Sequence, residues 1–137
     1  YGHLGGDAVL RDLGAVLSNV VRSADILARY GGEEFAVIVP DAKSSVLELL
    51  GERLRKAVAT TAFTFEGQTI PVTISVGAAS GQPFTVTDRF SERIVSTADH
   101  ALYTSKRQGR NRVTIETLPI SYESTSKTPQ ALEPVSL

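Results

Sequence analysis

The apolar positions of this chain recur with two periods, and each change of period marks an element. From Ala8 to about Val21 they fall at Val9, Leu10, Leu13, Val16, Leu17, Val20 and Val21, one stripe along an α-helix. The preceding Tyr1–Asp7 stretch is dense in glycine and reads as a loop, with Asp7 where a helix cap would sit. Two short apolar runs follow, Ile26-Leu27-Ala28 and Ala36-Val37-Ile38-Val39, separated by Arg29-Tyr30-Gly31-Gly32-Glu33-Glu34-Phe35. That pattern predicts a β-hairpin turning on Gly31-Gly32, because tight hairpin turns need positive φ.

Helical spacing returns over roughly 44–60 at Val46, Leu47, Leu49, Leu50, Leu54 and Val58, with Ser44 or Asp41 as candidate caps. Phe63-Thr64-Phe65 reads as a short strand and 66–69 as a turn. Residues 70–79 alternate, with Val72, Ile74 and Val76 on one face, so a strand is expected there, with Pro71 near its start or at an edge. A loop over 81–89 leads to a last long helix from Phe90 to about Gly109, with Ile94, Val95, Ala98, Ala101 and Leu102 inward. Val113-Thr114-Ile115 can close the sheet. From Leu118 on, Pro, Ser, Thr and Glu dominate and periodicity stops, so 118–137 is expected to be a disordered tail. The order predicts an α+β fold, an antiparallel-rich central sheet covered by helices, in one domain over 1–117.

Composition narrows the functional classes. Hydrophobic residues make up 42% of the chain and charged residues 21%, enough apolar material for a packed core. A net charge of −1 gives no reason to expect binding to nucleic acid. The absence of cysteine excludes disulfides and thiolate metal sites. The absence of methionine, and a glycine-rich loop with no strand before it, suggest a piece of a longer protein whose first strand is missing.

The candidate chemistry sits at the hairpin. Acidic residues are depleted in strands and repel one another, so Glu33 and Glu34 beside a Gly-Gly turn are either a solvated tip or a site that handles a cation or phosphate. Asp7 is either a plain helix cap or part of an anion or nucleotide contact at a helix start. Arg22-Ser23-Ala24-Asp25 suits a helix end followed by a turn, and also a polar ligand site.

Taken together and in order, these motifs resemble the GGDEF family, the diguanylate cyclases. Gly31-Gly32-Glu33-Glu34-Phe35 resembles the signature, and Arg29-Tyr30 precedes it as in the family. Tyr1-Gly2-His3-Leu4-Gly5-Gly6-Asp7 resembles the Gly-His-x-x-Gly-Asp segment, and Val72-Thr73-Ile74-Ser75-Val76-Gly77 a later central strand. Ala98-Asp99-His100-Ala101-Leu102-Tyr103, then Lys106 and Gly109-Arg110-Asn111, resemble the closing helix. The similarity spans about Tyr1 to Val113.

The resemblance implies a fold like the palm of adenylyl cyclases and polymerases, and a reaction joining two GTP molecules into cyclic di-GMP with release of two pyrophosphates. Two domains would meet antiparallel, each holding one GTP, with Mg²⁺ or Mn²⁺ assisting. On this reading Glu33 is a metal ligand and the base or activator of the 3′-hydroxyl, and Glu34 a second catalytic carboxylate. Gly31 and Gly32 border the phosphates, Asp7 accepts from the guanine edge, His3 falls at a substrate-site position, and Leu10 packs against the base. Lys106 and Arg110 bind terminal phosphates. Arg22 and Asp25 match the inhibitory Arg-x-x-Asp product site, supported by Arg53. Bacterial signalling in the cytoplasm is implied, with a homodimer as the active form of the intact parent and any membrane tether lying upstream.

The family's first strand, with an Asp-x-Asp-Phe-Lys-like motif that supplies another metal carboxylate, is not in this sequence. The alternative is a catalytically incompetent domain that senses cyclic di-GMP or GTP. The expectation for the 137-residue chain alone is therefore little or no cyclase activity. Robust synthesis of cyclic di-GMP by the purified chain from GTP and Mg²⁺ would overturn it.

Overall fold

The structure, a computed structural model, describes residues 2–82 and 89–118. The order is α1 (Gly2–Val20), β1 (Ile26–Gly31), β2 (Glu34–Ile38), α2 (Ser44–Ala59), β3 (Phe63–Phe65), β4 (Gln68–Ile70), β5 (Val76–Ser80), α3 (Phe90–Arg107) and β6 (Val113–Thr117). This is the expected α+β architecture. Its strands form three two-stranded ladders: β1 with β2 and β3 with β4 are antiparallel, and β5 with β6 is parallel. The parallel pair is joined through α3, the crossover that parallel strands require.

The core lies where α1 and α2 meet. Leu13 and Leu17 of α1, Leu54 and Val58 of α2, and Phe63 of β3 are buried together. Leu27, Phe35, Val72 and Ile74 pack against them, so the apolar stripes read from the sequence face inward.

Several elements differ from the expectation. Helix α1 begins at Gly2, so the glycine-rich stretch is helical and Asp7 lies inside the helix rather than capping it. Glycine weakens a helix but keeps its N–H, so it does not break one as proline does. The hairpin turns on Gly32-Glu33, because β1 runs to Gly31 and pairs it with Glu34. Gly32 takes the left-handed conformation, with φ 47°. Neither Ser44 nor Asp41 caps α2. Lys43 holds that position without a side-chain bond, while the Ser44 hydroxyl is engaged by Ser80 at 2.6 Å and Thr117 at 3.1 Å.

The strand expected over 70–79 is divided. Ile70 ends the small β3–β4 hairpin, which turns on Glu66-Gly67 with φ 51° and 77°, and β5 starts only at Val76. Residues 71–75 lie in no ladder among the described residues. In α3, Val95 is exposed while Ala101 and Ser105 are fully buried. Six residues along a helix is a rotation of ~120° from the buried line, which turns Val95 away. The expected disordered tail, apart from Leu118, and most of the expected loop over 81–89 lie outside the described residues.

One contact sets the spacing of α3. A Cβ built at Gly77 of β5 would lie 2.6 Å from the Ala98 carbonyl oxygen and closer still to the backbone nitrogen of Leu102. Neither backbone atom can move without displacing the helix. At Gly51 of α2 the obstacle is only the Val113 side chain, 2.8 Å from the built Cβ. Gly77→Ala is therefore expected to cost about 2–3 kcal/mol of unfolding free energy. Gly51→Ala should come out near neutral, because about 1 kcal/mol of helix propensity offsets the crowding. Urea denaturation of the two variants checks this, and equal effects would refute the backbone argument.

Candidate functional site

Helix α1 and the β1–β2 hairpin border an open cleft of about 490 Å³, a volume within the range of small-molecule sites. Asp7, Leu10, Arg11 and Gly14 line it from α1, and Arg29 and Phe35 from the hairpin. Gly14 faces the Phe35 ring, and a Cβ built on it would lie in ordinary contact with that ring at 3.5 Å. The structure thus brings Asp7 and Leu10 together with residues the sequence reading had not singled out. His3 precedes Asp7 by one helical turn and is exposed.

Arg29 links the cleft to the hairpin tip. Its Nε and Nη2 both donate to the Gly32 carbonyl oxygen, at 2.9 and 2.6 Å. This fork holds the turn in which Glu33 sits. Glu33 is exposed and makes no hydrogen bond or ion pair among the described residues. Glu34 opens β2 and places its Oε1 4.0 Å from Lys106 Nζ. The tip and the C-terminal end of α3 are therefore neighbours although far apart in sequence. A Cβ built on Gly31 or Gly32 would meet nothing within 4 Å, so the tip stands open on that side.

Beyond α3 the chain turns sharply. Gly109, Arg110 and Asn111 have successive φ values of 115°, 63° and 46°. A left-handed non-glycine residue costs about 1–2 kcal/mol, so this turn must be held. The Arg110 N–H donates to the Ser105 carbonyl at 3.0 Å, and Arg55 of α2 donates to the Asn111 side-chain oxygen at 3.1 Å. Hydrogen bonding with Arg55 holds the Glu52 carboxyl below the usual carboxylate value, and Glu52 in turn raises the Arg55 guanidinium.

Arg22 and Asp25 lie between α1 and β1. Asp25 Oδ2 accepts from the Arg22 N–H at 2.9 Å, and the Asp25 N–H donates to the Arg22 carbonyl at 3.0 Å. Asp25 thus shapes the turn, while the Arg22 guanidinium is exposed and unengaged among the described residues. Arg53 is exposed on α2 and is likewise unengaged there. No direct bond joins the side chains of Arg22, Asp25 and Arg53 among the described residues.

Sequence reasoning passed over Arg11, Phe35 and Arg55 as sites. Arg29 belongs to the Arg29-Tyr30 pair that precedes the signature, but its fork onto Gly32 needs the turn geometry to be seen. Among the described residues no cluster of three or more His, Cys, Asp or Glu gathers, and no helix is long and apolar enough to cross a membrane.

Comparison with known proteins follows the same motifs. The profile of the family described as "Diguanylate cyclase, GGDEF domain" matches residues 1–112. The chain is 42% identical over 115 residues to diguanylate cyclase A of Treponema denticola, covering 84% of this chain and 30% of that protein. It is 41% identical over 114 residues to the probable diguanylate cyclase DgcF of Escherichia coli strain K12, covering 82% of this chain and 36% of the relative. It therefore spans roughly a third of the length of these curated relatives. The GGDEF domain of DgcB from Caulobacter crescentus, solved in complex with c-di-GMP, superposes with a TM-score of 0.75 at 36% identity. That match covers 84% of this chain and 67% of that one. Diguanylate cyclase SiaD of Pseudomonas aeruginosa, solved with its activator SiaC, gives a TM-score of 0.76 at 31% identity, covering 85% and 43%.

The Lys106–Glu34 pair is long, and both side chains are more than two-fifths exposed. Such a pair is worth little to the fold. Lys106→Met is expected to change the unfolding free energy by less than about 0.5 kcal/mol in urea denaturation. A loss above about 1.5 kcal/mol would assign Lys106 a structural role instead.

Proposed function

The chain belongs to the GGDEF diguanylate cyclase family, and from that premise we propose that residues 1–117 are part of a cyclase domain that, in the intact parent protein, handles one GTP and joins it to a second held by another copy. The observation that carries the proposal is the meeting of three parts. The cleft holds Asp7 and Leu10, the Arg29-clamped tip holds Glu33, and Lys106 lies 4.0 Å from Glu34.

In this reading Asp7 accepts from the guanine edge and Leu10 packs against the base, with His3 at the rim. Gly31 and Gly32 leave the tip open, so backbone can approach phosphate. Lys106 and Arg110 hold the terminal phosphates and offset the charge that builds on the departing pyrophosphate. The 3′-hydroxyl of one ribose attacks the α-phosphate of the other GTP, a P–O bond forms as the bond to pyrophosphate breaks, and Glu33 takes the hydroxyl proton. Two such transfers close the ring. Each domain supplies one tip, so a homodimer is the active form, in bacterial cytoplasmic signalling.

The carboxylates of Glu33 and Glu34 are hard oxygen donors of the type that Mg²⁺ or Mn²⁺ takes. Mg²⁺ is commonly held by one or two carboxylates together with substrate phosphates, so Glu33 and Glu34 fit as part of the donor set, with a further carboxylate expected from the family's first strand. Glu33 is the ligand proposed, with Glu34 beside it, and the bound ion would polarise the α-phosphate.

A second reading is favoured by the unengaged guanidiniums of Arg22 and Arg53. They suit the guanine or phosphate of cyclic di-GMP, with Asp25 accepting from guanine N–H groups. This site makes the domain a sensor of its own product, with or without catalysis.

In the full-length protein, Glu33→Gln is expected to lower cyclic di-GMP formation from GTP and Mg²⁺ by at least about a hundredfold. Calorimetry with cyclic di-GMP separates the two readings. Arg22→Ala should abolish tight binding and Glu33→Ala should leave it unchanged. Product binding that survives Arg22→Ala removes the Arg22–Asp25 site, and undiminished synthesis by Glu33→Gln removes the catalytic assignment.

A further inference from the structure

The turn after α3 carries Arg110 on strained backbone, and one side chain from another element reaches it among the described residues. Arg55 of α2 directs its Nη1 to Asn111 Oδ1 at 3.1 Å. The rest of that guanidinium is already committed. Nε donates to the two carboxylate oxygens of Glu52 at 3.2 and 3.3 Å, and Nη2 donates to Glu52 Oε2 at 2.9 Å. Glu52 lies three residues before Arg55, on the same face of α2. A guanidinium clamped along one edge by a carboxylate presents its remaining nitrogen in a fixed direction. Arg55 is only one-fifth exposed, so this direction is also held by packing.

The other restraints on the turn are local. The Arg110 N–H donates to the Ser105 carbonyl, and Arg112 Nε donates to the Arg110 carbonyl at 3.2 Å. The Ser105 bond stays within the end of α3, and Arg112 is itself tied to β5, its carbonyl accepting the Val76 N–H at 2.9 Å, so neither bond reaches α2. Arg55–Asn111 is the tie between this turn and α2. Asn111 tolerates φ 46° better than most residues, and its side-chain oxygen is what Arg55 reads.

We propose that Arg55, oriented by Glu52, is a positioning residue that fixes the 109–111 turn and with it the place of Arg110 in the phosphate site. The proposal rests on the reading of Arg110 as a ligand of the terminal phosphates of GTP. Arg55 touches no substrate in this role. Lysine cannot replace it, because a single ammonium does not keep the two-pronged grip on Glu52 in a fixed plane while reaching Asn111.

The test uses Arg55→Met, Arg55→Lys and Arg110→Ala with two readouts, and thermal unfolding to confirm that each variant is folded. The first readout is hydrogen exchange at the Arg110 amide, which needs no ligand. Both Arg55 variants should speed it by roughly three- to tenfold, leaving amides of β5 unchanged. The second is the Kd for a non-hydrolysable GTP analogue with Mg²⁺. Arg110→Ala should raise it by roughly ten- to a hundredfold and Arg55→Met by roughly three- to tenfold. Adding Arg55→Met to Arg110→Ala should change nothing further.

Unaltered exchange in Arg55→Met overturns the proposal. So does a full Arg55→Met effect in the Arg110→Ala background, or recovery of wild-type exchange by Arg55→Lys. If Arg110→Ala binds the analogue as well as wild type, the phosphate reading fails by itself, and exchange at the Arg110 amide still decides whether Arg55 holds the turn.

Discussion

The close approach of α3 to β5 governs the geometry of the candidate site. At Gly77 there is no room for even a methyl group between the strand and the backbone of Ala98 and Leu102. The same interface buries the Ser105 hydroxyl completely, where it donates to the Val76 carbonyl at 2.8 Å and meets Thr114 Oγ1 at 2.7 Å. A buried hydroxyl with both roles satisfied adds direction to a contact that is otherwise only close. Lys106 is the next residue, and the Ser105 carbonyl receives the Arg110 N–H. The two cations proposed for phosphate are thus measured off from one rigid seam.

The hairpin supplies the opposing face by different means. It is mostly exposed, and its tip is held by an arginine fork rather than by burial. The weak Lys106–Glu34 pair at the boundary fits this arrangement. A pair at 4.0 Å in water contributes little, so a phosphate can take over the lysine at small cost.

Most of the fold and much of the site could be read from the chain because both rest on local patterns. The stripe of Val9, Leu13 and Leu17 and the alternation around Val72 and Ile74 end up against the core, even where residues 71–75 join no ladder. The Gly-Gly-Glu-Glu hairpin was legible in kind but shifted by one residue, since either glycine can take positive φ and only the pairing register chooses Gly32. The glycine-rich start read as a loop because propensity argues against Gly2, Gly5 and Gly6 in a helix. Here α1 runs on through Gly5 and Gly6, with Gly2 taking φ 66° at its first position, and Asp7 becomes a cleft residue instead of a cap. Arg55 was invisible for a different reason. Its role depends on Asn111, which lies far along the chain, and no spacing rule connects them.

The three ladders share no strand, so no continuous sheet sets the hairpin, the β3–β4 pair and the β5–β6 pair relative to one another among the described residues. That task falls to α2. Its buried Leu54 and Val58 join α1 and Phe63, while Gly51 lets Val113 and Val76 of the parallel ladder come within contact of its backbone. Helix α1 carries Asp7 and Leu10 of the cleft, α3 carries Lys106, and Arg110 follows in the turn after α3, so α2 is the body that relates the cleft to the basic end of α3. Arg55 lies on the same helix, between Leu54 and the Asn111 turn, and extends that registration from the core to the last strained residues of the site. Among the described residues, side-chain packing through one helix, rather than hydrogen bonding across a shared sheet, therefore relates the cleft to the basic end of α3.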